Sequence, residues 1–172
     1  MGEAPRVKIC GLMRREDVLV ADSAGADYVG FVLSQGFGRS VETTRAAELA
    51  AGTRAAKVAV LVDESPDSAV SAAQALGADV LQLHGQEGPH VLEALRDLGP
   101  WTLWKAVRAR TLDDVERTVE RYASVADGFL VEGWKDGSMG GAGARIGLDA
   151  EAVRRLIPEA LDFVLAGGLD AE

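Results

Sequence analysis

The chain has 172 residues, of which 48% are hydrophobic and 26% are charged. This composition is typical of one globular domain with a substantial core, and it excludes a disordered or fibrous protein. The 18 basic and 27 acidic residues give a formal charge of −9, and the basic residues are dispersed along the chain. We expect no nucleic-acid partner, because nucleic-acid surfaces concentrate positive charge.

The cysteine and histidine content limits the possible disulfide and metal chemistry. Cys10 is the one cysteine, so no internal disulfide can form, and one cysteine beside two histidines cannot complete a Cys2His2 zinc site. We predict no metal site. No apolar run approaches the roughly 18 residues of a membrane span, and residues 1–6 lack a signal-peptide pattern. We therefore expect a cytoplasmic protein without a membrane partner.

Short β-branched segments alternate with alanine-rich segments, a pattern typical of parallel strands joined by crossover helices. Two helices have clear start signals, Ser65 before Pro66 and Thr111 before two aspartates. In chain order the predicted elements are strand Val7–Cys10, helix Arg15–Ala24, strand Tyr28–Leu33, helix Thr43–Ala51, strand Lys57–Val62, helix Pro66–Leu76, strand Val80–His84, helix Gly88–Leu98, strand Thr102–Val107, helix Leu112–Ala123, strand Gly128–Glu132, helix Asp149–Ile157 and strand Asp162–Ala166.

An internal repeat supports this order of elements. Residues 24–28 read Ala-Gly-Ala-Asp-Tyr, residues 76–80 read Leu-Gly-Ala-Asp-Val, and residues 126–129 read Ala-Asp-Gly-Phe. Units of about 25 residues repeated without a linker favour a (β/α)8 TIM barrel over an open sheet. A complete barrel usually needs roughly 200 residues or more. We therefore expect residues 1–172 to form a single (β/α)8-barrel domain that ends after the seventh strand, without its C-terminal unit.

The alternation of strand residues predicts which side chains face the barrel interior. If the apolar residues of each strand pack under the helices, five polar side chains point inward: Lys8, Cys10, Gln82, His84 and Glu132. Three of them end their strands, at the rim where barrel enzymes have their active sites. Buried polar groups must be hydrogen-bonded or paired, so their convergence indicates binding or catalysis.

Each of these side chains also has a simpler interpretation. A lone cysteine is often an inert core residue, but Cys10 ends a strand and shares its face with the cationic Lys8, which would stabilise a thiolate. Glu132 alone would be a solvated carboxylate, yet across the barrel mouth from a thiol it is a candidate acid–base partner. We predict that Gln82 and His84 bind substrate, although a structural role for His84 remains open.

Two glycine-rich segments and one arginine are candidate anion-binding groups. Residues 137–143 follow the sixth strand and have the composition of a mobile lid with free backbone amides. Gly167 and Gly168 follow the seventh strand, where barrel enzymes often bind phosphate through backbone amides. Arg39 follows the second strand and could hold a carboxylate through two hydrogen bonds, unless it is an ordinary surface residue.

Five short segments lie in order from the first predicted strand to the seventh. They are Lys8–Leu12 (KICGL), Gly38–Val41 (GRSV), Gln82–Gly85 (QLHG), Trp104–Ala106 (WKA) and Leu165–Leu169 (LAGGL). Together they resemble the phosphoribosylanthranilate isomerase family, and the first and third segments are specific in combination.

The resemblance implies an Amadori rearrangement in tryptophan biosynthesis that needs no metal or organic cofactor. In the family's mechanism a carboxylic acid protonates the ribose ring oxygen of N-(5'-phosphoribosyl)anthranilate, and a cysteine thiolate then removes the proton from C2. Cys10 matches the family's base, and Arg39 matches the arginine that holds the anthranilate carboxylate. Gly167 and Gly168 match the phosphate-binding turn.

This chain departs from the family at the end of the sixth strand, where the family usually has aspartate. Glu132 stands there, and its carboxyl group reaches one methylene further. We assign Glu132 as the general acid and keep Asp136 as the alternative. Glutamate and aspartate perform the same proton transfer, so the substitution affects reach rather than chemistry.

Two other functions remain open. One is a histidine-pathway or dual-substrate phosphoribosyl isomerase, whose family carries aspartate where Cys10 stands here. The other is a non-catalytic barrel fragment, which the expected absence of an eighth unit supports. We predict a small phosphorylated substrate as the partner and a monomeric or homodimeric protein.

Overall fold

Seven parallel strands form one sheet, and their order in the sheet is their order in the chain. The computed structural model describes residues 4–133 and 147–167. The strands are β1 (Lys8–Cys10), β2 (Tyr28–Val32), β3 (Ala56–Leu61), β4 (Val80–Leu83), β5 (Thr102–Ala109), β6 (Gly128–Gly133) and β7 (Asp162–Ala166). The helices between them are α1 (Arg15–Ser23), α2 (Thr43–Ala50), α3 (Pro66–Leu76), α4 (Pro89–Leu98), α5 (Leu112–Tyr122) and α6 (Ala150–Leu156). All thirteen predicted elements are confirmed, with bounds that differ by at most two residues.

The helices begin where the sequence provides a cap. The Ser65 side chain accepts a hydrogen bond from the backbone N–H of Ser68, with Pro66 in the first turn of α3. Thr111 and Asp114 form a reciprocal capping box at the start of α5. Gly77 ends α3 at a φ of 64°, a left-handed conformation that glycine adopts without a steric penalty.

The repeated aspartates have one structural role. Asp27, Asp79 and Asp127 each precede a strand, and each carboxylate accepts a backbone N–H from near the start of the preceding strand, at 2.7 to 2.8 Å. These bonds fix the stagger between neighbouring strands at the end of the sheet where the strands begin. The repeat therefore specifies strand register, remote from the rim where the strands end.

The sheet is curled, so side chains of distant strands meet on its interior face. The rings of Tyr28 on β2 and Trp104 on β5 lie 5.1 Å apart, although three strand spacings in a flat sheet would separate them by about 14 Å. The Trp104 Nε1–H also donates to the carboxylate of Asp162 on β7 at 3.0 Å. Arg6, just before β1, forms an ion pair with Asp162 at 3.0 Å and so connects the two outermost strands.

The hydrophobic core has two parts. A small cluster of Val58, Val60, Val80 and Trp104 fills the interior, and a larger one packs the outer face of the sheet against the helices. Each fully buried aliphatic or aromatic side chain contributes about 1.5 to 3 kcal/mol to the stability of this arrangement. Among the described residues no helix is both long enough and apolar enough to span a membrane.

The observed architecture is a TIM-like α/β fold of seven parallel strands with helices between them. Within the described ranges β1 pairs with β2 alone and β7 pairs with β6 alone, so both are edge strands. Beside β1 the side chains of Val7, Ile9 and Val20 are 50%, 40% and 66% exposed. The outer face next to the β1 edge is therefore apolar and open.

Candidate active site

A hydrogen-bonded chain of three side chains lies on the interior face at the carboxyl ends of β4 and β6. The amide Nε2 of Gln82 lies 2.7 Å from Nδ1 of His84, and Nε2 of His84 lies 3.0 Å from Oε1 of Glu132. Gln82 is 2% exposed and Glu132 is 8% exposed. All three face the interior, as the alternation of strand residues predicts.

The orientation of the Gln82 amide decides which ring nitrogen of His84 carries the proton. With the amide nitrogen toward the ring, Nδ1 accepts, because an amide nitrogen can only donate. In this arrangement the ring N–H that faces Oε1 of Glu132 is on Nε2. His84 is therefore a hydrogen-bond donor to Glu132, a contact that its position in the sequence does not reveal.

The other atom of the Gln82 amide is unsatisfied. Its Oε1 is buried and has no hydrogen-bond partner among the residues that the structure describes. Leaving a buried carbonyl oxygen without a donor is costly, and such atoms commonly accept from water or from a ligand. The Gln82 amide therefore satisfies one of its two polar atoms through His84 and leaves the other without a donor in the described part of the chain.

Cys10 ends β1 and shares the interior face with Lys8. Its neighbour in the β1–β2 register is Gly30, which leaves the space that the thiol occupies. A Cβ atom on Gly30 would lie 2.9 Å from Cys10 Sγ and 3.3 Å from Lys8 Nζ. The thiol and the ammonium group therefore surround the same point, and Cys10 remains partly exposed.

Arg39 reaches back from the segment after β2 to the end of β1. Its guanidinium group donates to the carbonyl oxygen of Cys10 at 3.1 Å and lies directly over Gly11. Gly11 has a φ of 77°, and a Cβ there would come within 2.6 Å of the guanidinium group. Arg39 is exposed, but this contact places it beside Cys10 rather than on an unrelated surface.

The candidate phosphate turn is described in part. Gly167 directly follows β7 and has a φ of 90°, which only glycine adopts readily. Gly168, the alternative acid Asp136 and the glycine-rich segment 137–143 lie outside the described residues. Gly167 is thus at the same end of the sheet as Cys10 and Glu132, since all three stand at carboxyl ends of parallel strands.

Lys105, within the WKA segment, lies on β5. It faces the helices rather than the interior, and its ammonium group forms an ion pair with Glu87 at 2.9 Å. Burial lowers the pKa of Lys105, and the Glu87 carboxylate opposes that effect. Alternation along β5 indicates that Lys105 and Trp104 face opposite sides of the sheet. No sequence motif indicated Glu87 as the partner of Lys105.

The described residues contain no group of three or more His, Cys, Asp or Glu side chains placed to hold a metal ion. The polar groups at the rim are instead suited to proton transfer and anion binding. They comprise a thiol, a carboxylate with a histidine donor, an exposed guanidinium group and a glycine turn. Such a set fits an acid–base reaction on an anionic substrate.

Residues 7–172 match the family model described as N-(5'phosphoribosyl)anthranilate (PRA) isomerase. The N-(5'-phosphoribosyl)anthranilate isomerase of Rubrobacter xylanophilus is 38% identical over 169 residues, which are 97% of this chain and 79% of that protein. The crystal structure of phosphoribosyl anthranilate isomerase from Thermus thermophilus is 29% identical, with a TM-score of 0.80 over 96% of this chain and 78% of that one.

A further solved structure contains monomers of the dimeric phosphoribosylanthranilate isomerase from Thermotoga maritima. It is 28% identical to this chain, with a TM-score of 0.76 over 95% of this chain and 76% of that one. Similarity in sequence and in fold thus extends over nearly the whole chain. The chain belongs to the family of N-(5'-phosphoribosyl)anthranilate isomerases, intramolecular oxidoreductases of tryptophan biosynthesis that convert an aldose-type substrate into a ketose.

Proposed function

We propose that the protein rearranges N-(5'-phosphoribosyl)anthranilate to 1-(2-carboxyphenylamino)-1-deoxyribulose 5-phosphate, with Glu132 as general acid and Cys10 as general base. The observation that carries the proposal is the common placement of the two groups. Both face the interior at the carboxyl ends of their strands, and Glu132 accepts a hydrogen bond from His84 at 3.0 Å. An acid and a base at one rim suit a reaction that moves a proton between adjacent atoms.

Proton transfer proceeds in two steps in this proposal. Glu132 protonates the ribose ring oxygen, the bond from that oxygen to C1 breaks, and a Schiff base forms between C1 and the anthranilate nitrogen. Cys10, as the thiolate, then removes the proton from C2, and the electron pair moves to give an enolamine that tautomerises to the aminoketose.

We assign a separate protein group to each of the substrate's two anionic ends, the carboxylate and the phosphate. Arg39 holds the anthranilate carboxylate, supported by its place beside Cys10. Gly167 and Gly168 bind the phosphate through backbone amides after β7. Gln82 Oε1, the buried acceptor without a partner in the described part of the chain, accepts from a ribose hydroxyl.

We further propose that residues 1–172 belong to a single barrel domain. Support comes from the one continuous parallel sheet in chain order and from the ion pair between Arg6 and Asp162, which brings the two edge strands together. The protein would work as a monomer or a homodimer on a small phosphorylated substrate.

Turnover of N-(5'-phosphoribosyl)anthranilate by the purified protein tests the proposed function. We expect activity in the wild type and a loss of several orders of magnitude in Cys10→Ser and in Glu132→Gln, with unchanged melting temperatures. Asp136→Asn is the matched control for the acid. Inactivity of Asp136→Asn alone would reassign the acid, and turnover of only the histidine-pathway substrate would overturn the proposed reaction.

A further inference from the structure

The Lys105 ammonium group donates three hydrogen bonds, all to residues close to His84 in the chain. It is 3% exposed, and it donates to the carbonyl oxygen of Leu83 at 3.0 Å, to that of Gly85 at 2.8 Å and to Glu87 at 2.9 Å. An ammonium group has three protons, so these contacts satisfy it. The two carbonyl groups belong to the residues on either side of His84.

The Glu87 carboxylate completes this clamp from the other side. Its Oε1 accepts the backbone N–H of Gly85 at 3.0 Å and that of Asp63, in the segment after β3, at 2.9 Å. The backbone carbonyl of Glu87 accepts from the buried hydroxyl of Tyr122 on α5 at 2.8 Å. Glu87 therefore ties the turn after β4 to the segment after β3, to β5 and to α5.

Hydrogen bonds hold the backbone on both sides of His84. Its backbone N–H donates to the carbonyl oxygen of Leu61 at 2.8 Å, and the carbonyl of the same peptide, that of Leu83, accepts from Lys105 at 3.0 Å. The N–H of the following peptide, that of Gly85, donates to Glu87 at 3.0 Å. Fixing both neighbouring peptides restricts the backbone dihedrals of His84 and so fixes the direction of the Cα–Cβ bond from which its ring extends. That ring points to the interior face, where Nε2 meets Glu132.

Stability alone does not account for a buried pair of this kind. Removing two charges from water costs several kcal/mol for each ion, and well-packed apolar residues are often as stable or more stable in the same place. The Lys105–Glu87 pair is nearly inaccessible to solvent, with side chains 4% and 1% exposed. Its specific effect is geometric, because an apolar pair could not bind the two carbonyls beside His84.

We propose that Lys105 and Glu87 are positioning residues for catalysis: from the helix side of the sheet they hold His84 in the orientation that binds Glu132. The proposal rests on the proposed role of Glu132 as the general acid. It assigns a function to a buried ion pair that touches neither the substrate nor the reacting atoms. The ion pair affects turnover by setting the orientation of the His84 ring.

The test uses Glu87→Gln and the double variant Lys105→Met/Glu87→Gln. Glutamine keeps an acceptor for the backbone N–H groups of Gly85 and Asp63, and methionine keeps the apolar stem of lysine. The double variant therefore leaves no buried charge unpaired, whereas Glu87→Gln alone keeps the Lys105 charge with its two carbonyl partners. The core variant Leu49→Ala on α2, distant in the chain from this cluster, is the control for general loss of stability. Folding is checked by thermal unfolding.

Two readouts separate positioning from stability. The chain has two histidines, so in a His90→Gln background the ring ¹⁵N signals report His84 alone. We expect the wild type to show one tautomer, with the proton on Nε2, and the double variant to show averaging between tautomers. We expect kcat to fall about 10- to 100-fold in the double variant, with KM changed less than about threefold.

Several results would overturn the proposal. Unchanged ring signals in a folded double variant would do so, as would altered ring signals with wild-type kcat. An equal fall of kcat in Leu49→Ala, compared at the same distance below its melting temperature, would show general destabilisation instead. If the double variant fails to fold, Glu87→Gln alone must shift the ring signals and lower kcat. A wild type inactive on N-(5'-phosphoribosyl)anthranilate would defeat the proposed function, while the ring signals would still test the positioning of His84.

Discussion

The imidazole of His84 donates its Nε2 proton to Oε1 of Glu132 at 3.0 Å, and its Nδ1 accepts from the Gln82 amide at 2.7 Å. The contact between His84 and Glu132 is therefore a direct hydrogen bond between two side chains. It joins residues 48 positions apart, at the ends of β4 and β6. The orientation of the proposed acid is thus set by a strand other than its own.

Truncating His84 is expected to impair turnover more than folding. A hydrogen bond to a charged group contributes about 1.5 to 3 kcal/mol, which corresponds to a fall in kcat of roughly 10- to 100-fold for His84→Ala. His84→Gln should recover part of this loss, since its amide can donate from near the position of Nε2. Steady-state kinetics of the two variants checks the prediction, with His90→Ala on the surface as control. Equal activity of His84→Ala and wild type would contradict it.

The space at Gly30 leads to a second prediction. Alanine at this position would place a Cβ 2.9 Å from Cys10 Sγ, which is too close, so the thiol must move. A displacement of the order of 1 Å at a reacting group can cost about 100-fold in rate. We expect Gly30→Ala to retain its fold and to lose kcat by about that factor.

Thiol labelling provides the independent check of that displacement. Cys10 is the one cysteine of the chain, so the labelling rate reports this residue alone, and Cys10→Ser gives the blank. We expect the labelling rate of Gly30→Ala to differ from that of the wild type. An unchanged labelling rate together with full activity would show that the interior accommodates the added methyl group.

Local rules in the sequence predicted much of the site. Cys10, Gln82 and Glu132 face the interior because side chains alternate along a strand, and this depends only on knowing where each strand runs. Their convergence at one rim follows from the parallel order of the strands. Capping residues likewise located the starts of α3 and α5, since a cap acts on the backbone beside it.

Contacts between distant segments could not be predicted in this way. The Lys105–Glu87 pair depends on how the turn after β4 packs against β5, and the contact of Arg39 with the Cys10 carbonyl depends on a loop that folds back over Gly11. No spacing rule encodes either contact, because both form between residues that are remote in the chain. The tautomer of the His84 ring is similarly a property of its neighbours.

Acid titration is expected to reveal the role of Asp22 on α1. Its Oδ1 accepts from the Thr53 hydroxyl at 2.7 Å and from the backbone N–H groups of Ala55 and Arg54 at 3.0 and 2.8 Å. The Thr53 bond first, and then the two backbone bonds, lower the pKa of Asp22 below its ordinary value of 3.8. A lowered native pKa means that the carboxylate stabilises the fold above pH 3.8 and loses this effect as the pH falls through the native value.

We therefore expect Asp22→Ala to melt at a lower temperature than the wild type near pH 7. The difference should shrink as the pH falls below about 4, because Asp22 takes up its proton first in the unfolded chain and, at lower pH, in the native protein. Melting temperatures measured from pH 7 to pH 3 provide the check, with Glu116→Ala on the exposed face of α5 as the control. A difference that stays constant over this range would exclude an ionised carboxylate as its source.

Arg39 allows the proposed carboxylate contact to be tested by changing protein and substrate together. Lysine keeps the charge but not the planar pair of donors, so Arg39→Lys should raise KM about 10-fold or more, with a smaller effect on kcat. The matching adduct of phosphoribose with aniline lacks the carboxylate, and on it we expect wild type and variant to have equal kcat/KM. Because Arg39 also donates to the Cys10 carbonyl, the thiol labelling rate of the variant must match the wild type for the comparison to hold. An equal loss of kcat/KM on both substrates would place the effect of Arg39 in the structure around Cys10 and not in recognition of the carboxylate.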